Sequence, residues 1–208
     1  MEEYRCALAH VSPEPLKEMS RYVGPRPFDR RSEDQARFFG RDQESKEIVS
    51  LILSNPLMSV HSRPVAGKTS LFNANILPIL ESHEFLTRPT VRVGGLLPSY
   101  LTYANVKNIF IFNALQSLDP IADPRTLAEK NLTFLKEYPK GRRTLQVLVI
   151  DQLKELFSLS SNQLQDELEG FFIQIAEALN NDPLLRIAFL IREEYLTQLD
   201  PFARFVKE

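Results

Sequence analysis

The arrangement best suited to chemistry in this chain is Gly67-Lys68-Thr69, set between a short apolar run, Leu57–His61, and an amphipathic stretch that opens at Lys68. A strand feeding a helix N-terminus aims unsatisfied N–H groups and the positive end of the helix dipole at one point, which suits a phosphate. An ammonium at position 68 would meet β- and γ-phosphates, and a hydroxyl at position 69 would bind Mg2+. The full pattern G-x-x-x-x-G-K-[ST] wants glycine at position 62, where this chain has Ser62, followed by Arg63, Pro64, Val65 and Ala66. Candidate nucleotide contacts are therefore Ser62, Arg63, Pro64, Val65, Ala66, Gly67, Lys68, Thr69 and Ser70.

Asp151 ends the apolar run Leu145–Ile150, and a carboxylate at the carboxyl edge of such a strand can hold Mg2+ together with Thr69. A strand-ending aspartate also serves as a turn or helix cap, and Lys68 upstream favours the metal role. Gln152 follows where many hydrolases carry an acid; an amide orients an attacking water without taking its proton, so slow hydrolysis is expected. Glu155 is the nearest carboxylate able to assist, and it reads equally well as a solvated helix charge. Arg192 directly follows the apolar run Leu185–Ile191, so its fork would reach the same sheet edge and bond a γ-phosphate, or else pair with Glu193, Glu194 or Asp151. His10, His61 and His83 share no metal-like spacing, and Cys6 is the single cysteine, which leaves no internal disulfide and no thiolate cluster.

These groups need elements to position them. The periodicity predicts a helix over 42–53, a strand over 57–61, a helix from Lys68 through Leu80 that Pro78 ends or kinks, and a short strand over Thr90–Val93. A helix over 105–118 follows, then a stretch from 119 to 144 with several prolines and the basic turn Lys140-Gly141-Arg142-Arg143, read as the variable insertion. The run 145–150 is apolar almost throughout, as in a strand buried on both faces; a helix over 163–179 and a buried strand over 185–191 complete the order. Strands alternating with helices across long crossovers imply a parallel sheet covered on both sides.

With 208 residues, 43% hydrophobic and 25% charged, the chain is long enough for one α/β domain with a core. Its net charge of -2 lacks the basic excess of nucleic-acid binders. No segment approaches the ~20 apolar residues that span a bilayer, and the proline-bearing first thirty residues carry no apolar core flanked as in a signal peptide. A cytoplasmic protein is expected.

Taken together the blocks resemble the ATPase module of the novel STAND NTPases, a bacterial group of the AAA-like STAND class. The resemblance runs from about Tyr22 to Phe205 and leaves 1–20 as an N-terminal extension, with 21–208 as the nucleotide-binding domain. It rests on Tyr22–Phe28, Phe38-Phe39-Gly40-Arg41, Gly67–Leu71 with Asn75–Pro78, Val91–Gly94, Phe112–Leu115, Ile150–Gln152 with Glu155–Phe157, and Ile191–Leu196. It implies a P-loop NTPase fold, three layers α/β/α around a mainly parallel sheet, with ATP or ADP and Mg2+ as cofactors. It implies nucleotide between the Gly24–Phe28 segment, the box Phe39-Gly40-Arg41, in which Gly40 would contact it, and the loop, with Phe28 and Arg41 near the adenine or ribose. It also implies a γ-phosphate role for Arg192.

Family members of this kind couple the module to sensor and effector regions and act as ligand-triggered switches, often in antiviral defence, which implies protein partners or self-association. The chain ends shortly after the arginine strand, as expected of a shortened member, an excised module or one subunit of a split system. The family loop is similar to Ser-Pro-Ser-Gly-Ala-Gly-Lys-Thr. Val65 places a β-branched side chain where glycine lets the backbone curl, and Pro64 removes an N–H donor. Leu153-Lys154 stands where Phe-Glu is usual. Weak binding with little turnover is the expectation, and the rival reading is a nucleotide-free module that serves as a docking surface.

Overall fold

The strand Gln146–Asp151 (β4) buries five successive residues, Val147 to Asp151. Val147 and Val149 pack into one apolar cluster while Leu148 and Ile150 pack into another. That alternation requires a covered sheet on both faces. The computed structural model describes Gly24 and residues 26–132, 144–157 and 162–205. The expected N-terminal extension, Tyr22-Val23 and the Lys140–Arg143 turn lie outside the described residues.

Before β4 come α1 (Ser32–Gln35), α2 (Asp42–Ser54), β1 (Leu57–Ser62), and a helix built of α3 (Lys68–Leu71), a π segment (Phe72–Ile76) and α4 (Leu77–Ser82). Then follow β2 (Leu86–Thr87), β3 (Val91–Arg92), a 3-10 turn (Tyr103–Asn105), α5 (Ile109–Leu118) and α6 (Pro124–Ala128). After β4 lie α7 (Lys154–Phe157), α8 (Asn162–Asn181), β5 (Leu185–Arg192) and a 3-10 stretch (Glu193–Phe205).

All described strand pairings are parallel: β1 pairs β5, β5 pairs β4, and both β2 and β3 pair β4. The edge formed by β2 and β3 is one interrupted strand. Pro89 lies between the two pieces and has no N–H for the ladder. The expected Thr90–Val93 strand is thus Val91–Arg92, with an unforeseen partner upstream.

Helices α2 and α3–α4 cover one face through Ile48, Ile52, Leu71, Phe72, Ile76 and Leu80. Helices α5 and α8 cover the other through Phe110, Phe112, Phe171, Phe172 and Ile175. The fold is the expected three-layer α/β/α arrangement. The helix expected over 105–118 begins at Ile109 instead, because the Asn108 side chain accepts the orphan N–H groups of Phe110 and Ile111, both at 3.0 Å. Pro78 neither ends nor breaks its helix. It enters in the first turn of α4, where the preceding π segment has already altered the hydrogen-bond register.

The register aligns four strand ends on one rim. Ser62 stands opposite Arg192, and Arg92 stands opposite Asp151. Because β5 runs between β1 and β4, Arg192 emerges between the loop after β1 and the acid of β4.

Candidate nucleotide site

Gly67 occupies the N-cap of α3 with φ of 80°, a left-handed conformation that glycine adopts without a Cβ penalty. It turns the chain from β1 into the helix. Two residues earlier Val65 also has positive φ, 63°, and stands fully exposed at the tip of the loop. For a β-branched residue this conformation carries strain on the order of 1–3 kcal/mol. The surroundings hold it there: Arg41 Nη1 donates to the Ala66 carbonyl at 3.0 Å while its other nitrogens grip Glu44.

Lys68 curls back along the loop, donating from Nζ to Ser62 Oγ at 2.7 Å and to the Ser62 carbonyl at 3.1 Å. Its pKa is pushed down, first by burial; the Asp151 carboxylate opposes that push and the Arg192 guanidinium adds to it. Thr69 Oγ1 donates to Asp151 Oδ2 at 2.7 Å, across 82 residues of sequence. The second Asp151 oxygen accepts the Gln152 N–H at 2.7 Å, and Gln152 itself has φ of 61°. Two oxygen ligands in contact at the head of a phosphate-type loop form a hard donor set of the sort Mg2+ takes.

Around these groups lies a cleft of about 660 Å³. Its floor is the loop from Pro64 to Ser70, its far wall is Asp151 to Lys154 with Leu190, Ile191 and Arg192, and its near wall is Gly24, Arg26 and Pro27. That volume and its convergent cations fit a nucleotide. The near wall is a strap held down by three contacts. Arg26 bonds Asp34 through both Nη atoms, at 2.6 and 2.9 Å; Asp34 also accepts the Asp29 N–H at 2.7 Å; and the Phe28 N–H donates to Ser70 Oγ at 3.1 Å. Asp34 is 1% exposed, and the Arg26 hydrogen bonds hold its carboxyl down at about 2, with the Asp29 N–H adding to them against burial.

Of the residues singled out from sequence, the structure brings Pro64, Val65, Ala66, Gly67, Lys68, Thr69, Ser70, Asp151, Gln152 and Arg192 to the cleft. Ser62 contributes through its bonds to Lys68. Arg63, Phe28, Gly40, Arg41 and Glu155 do not border the cleft. Arg41 braces the loop from behind, and the Phe28 ring packs edge-on against Phe38 at 5.4 Å between centroids. Glu155 folds over Gly94, so closely that a Cβ on Gly94 would lie 1.1 Å from Oε2.

Sequence reasoning gave no contact role to Asp34 or Asn113, whereas it named Glu194 as a possible partner of Arg192, and that pair is present. Asn113 Nδ2 donates to the Val93 carbonyl at 3.0 Å, tying β3 to α5. A lone buried aspartate or asparagine has no periodic signature; only the Arg26 and Val93 partners give either its meaning.

A parallel sheet with helices on both faces, a strand–loop–helix bearing Gly67-Lys68-Thr69, and an acid at the adjoining strand end define the P-loop NTPase class. Within that class the chain belongs to the family described as Novel STAND NTPase 1, which matches residues 22–208. Among solved structures it is similar to the Walker-type ATPase PABY2304 of Pyrococcus abyssi, with a TM-score of 0.51 and 19% identity over 88% of this chain. The match takes in 52% of that protein, so the chain spans about half its length. No curated protein matches the chain. Among the described residues no helix is long and apolar enough to cross a membrane.

Proposed function

We propose that the chain is the ATP-binding module of a STAND-type signalling or defence ATPase, a switch whose conformation follows nucleotide state and whose turnover is slow or nil. The observation that carries this reading is the 2.7 Å bond between Thr69 and Asp151 beside the loop of Lys68, which unites a hydroxyl, a carboxylate and an ammonium at one end of a nucleotide-sized cleft. Thr69 and Asp151 would hold Mg2+, which when bound neutralises phosphate charge. Lys68 would leave Ser62 for the β- and γ-phosphates, Gln152 would orient water, and Arg192 would meet the γ-phosphate. Apart from Asp151, which this reading gives to Mg2+, no carboxylate among the described residues lines the cleft to take a proton, which supports slow hydrolysis. The preference for adenine rests on the family, and the output would pass to protein partners or to a second copy.

Calorimetric titration of ATP and ADP, each with Mg2+, into the protein and into Lys68→Ala tests the proposal. Binding that Lys68→Ala abolishes is the expected result; no binding of either nucleotide to the parent protein rejects it. One observation favours a second reading, a nucleotide-free interaction module: Val65 sits strained where the loop should curl, after a proline that offers no N–H. If Val65→Gly creates binding that the parent lacks, that second reading gains.

A further inference from the structure

Arg192 ends β5 at the cleft, and two residues further on Glu194 faces it, with Nη1 and Oε1 3.4 Å apart. Both side chains remain open to solvent, at 41% and 49% exposure. Glu194 also acts beyond its partner: burial pushes the Lys68 pKa down, and the Glu194 carboxylate, after that of Asp151, opposes the push to which Arg192 adds. One carboxylate therefore stands within electrostatic reach of both cations at the phosphate end of the cleft. The adjacent Glu193 is exposed too, yet its side chain makes no hydrogen bond or ion pair among the described residues and is not among the charges acting on Lys68.

We propose that Glu194 is a positioning residue that holds down the preference of this site for nucleoside triphosphate over diphosphate, by occupying the Arg192 guanidinium until a γ-phosphate displaces it. The inference rests on the reading of the cleft as a nucleotide site. A guanidinium presents a planar fork that two oxygens of a phosphoryl group can satisfy together, at about 2.7–2.9 Å per bond. The single contact to Glu194, at 3.4 Å, is longer than that and leaves most of the fork unmatched. Exposed pairs of this kind are weak and readily exchanged. A triphosphate gains the fork only by breaking the pair and by approaching the Glu194 charge. A diphosphate stops one phosphoryl group short and leaves the pair standing, so the carboxylate weighs more heavily on the triphosphate.

The test compares dissociation constants for ATP and ADP, both with Mg2+, in the parent chain, Glu194→Gln, Glu193→Gln and Glu194→Asp. Glu194→Gln should tighten ATP by about threefold to fivefold, the scale of an exposed pair, while moving ADP by less than about twofold. Glu193→Gln removes the same charge one residue away and should leave the ratio unchanged. Glu194→Asp should restore the parent ratio. Equal gains for both nucleotides, or the same change of ratio in Glu193→Gln, would overturn the inference and reduce Glu194 to background charge. An unmoved ratio with both nucleotides still bound overturns this inference alone, whereas absence of binding in every variant removes the nucleotide site and the inference with it.

Discussion

Asp34 shows how a single carboxylate can hold one wall of the cleft. It is buried against the Arg26 fork and the Asp29 N–H, and its pKa falls from 3.8 to about 2 on folding. A depressed carboxylate pKa stabilises the fold fully above the unfolded value, and that contribution is lost as pH falls through the folded value. Asp34→Asn should therefore be less stable than the parent at neutral pH, and the gap should narrow between about pH 4 and pH 2. Urea unfolding at a series of pH values reads this directly; a gap that stays constant down to pH 2 would show that the Arg26 pair does not govern the acid limb. At this scale the sequence was partly legible. That Lys68, Thr69, Asp151 and Arg192 come together at one cleft was readable, because strand ends and the loop-to-helix junction meet at one edge of a parallel sheet. The places of Arg41 against Ala66 and of Glu155 against Gly94 were not, because a charged side chain can brace a backbone as readily as it meets a ligand.

Among elements, those with an unbroken apolar rhythm were foreseeable and those shaped by one polar contact were not. β4, β5 and α8 stand within one or two residues of their expected bounds, since burial leaves a strong periodic trace. The split of β2 from β3 at Pro89, the cap at Asn108 and the π segment before Pro78 come from local hydrogen bonding that periodicity does not carry. The edge strand β3 is anchored by such contacts on both sides. Asn113 and Ser117 of α5 bond Val93 and Arg92, and Glu155 of α7 lies across Gly94. Glycine is required at 94 because a Cβ would come within 2.8 Å of the Glu155 Cβ as well as striking its carboxylate. Gly94→Ala should destabilise by about 1–3 kcal/mol, the usual cost of overpacking. In a Glu155→Ala background the same substitution should cost less, because the carboxylate is gone. Denaturant unfolding of the four proteins measures the coupling, and strict additivity would mean that α7 does not press on β3.

At the scale of the molecule, the candidate groups that border the cleft lie at the carboxyl rim of one parallel sheet, while the apolar mass of α5 with α8 meets that rim through the strands, through Leu153 and through Phe202, which stacks on Phe172. A nucleotide seated in the cleft would bridge the strap at Arg26, the loop at Gly67 and the end of β5 at Arg192, three segments that are joined here by a few hydrogen bonds. Segments held by few contacts open with low free energy, and a ligand that binds only their closed form suppresses that opening. Hydrogen exchange with and without ATP and Mg2+ should therefore slow amides in the strap (26–29), the loop (62–70) and the turn after Arg192, and leave the core amides of α8 unchanged. The size of the effect follows mass action: at a ligand concentration 100 times the dissociation constant, protection limited by local opening gains at most about 2.7 kcal/mol, or roughly a hundredfold. Protection spread evenly through α5 and α8 would instead mean that nucleotide tightens the whole domain, and a switch confined to the rim would be the wrong description. Protection at the loop without protection at the strap would mean that Arg26 and Pro27 border the cleft without closing on what it holds.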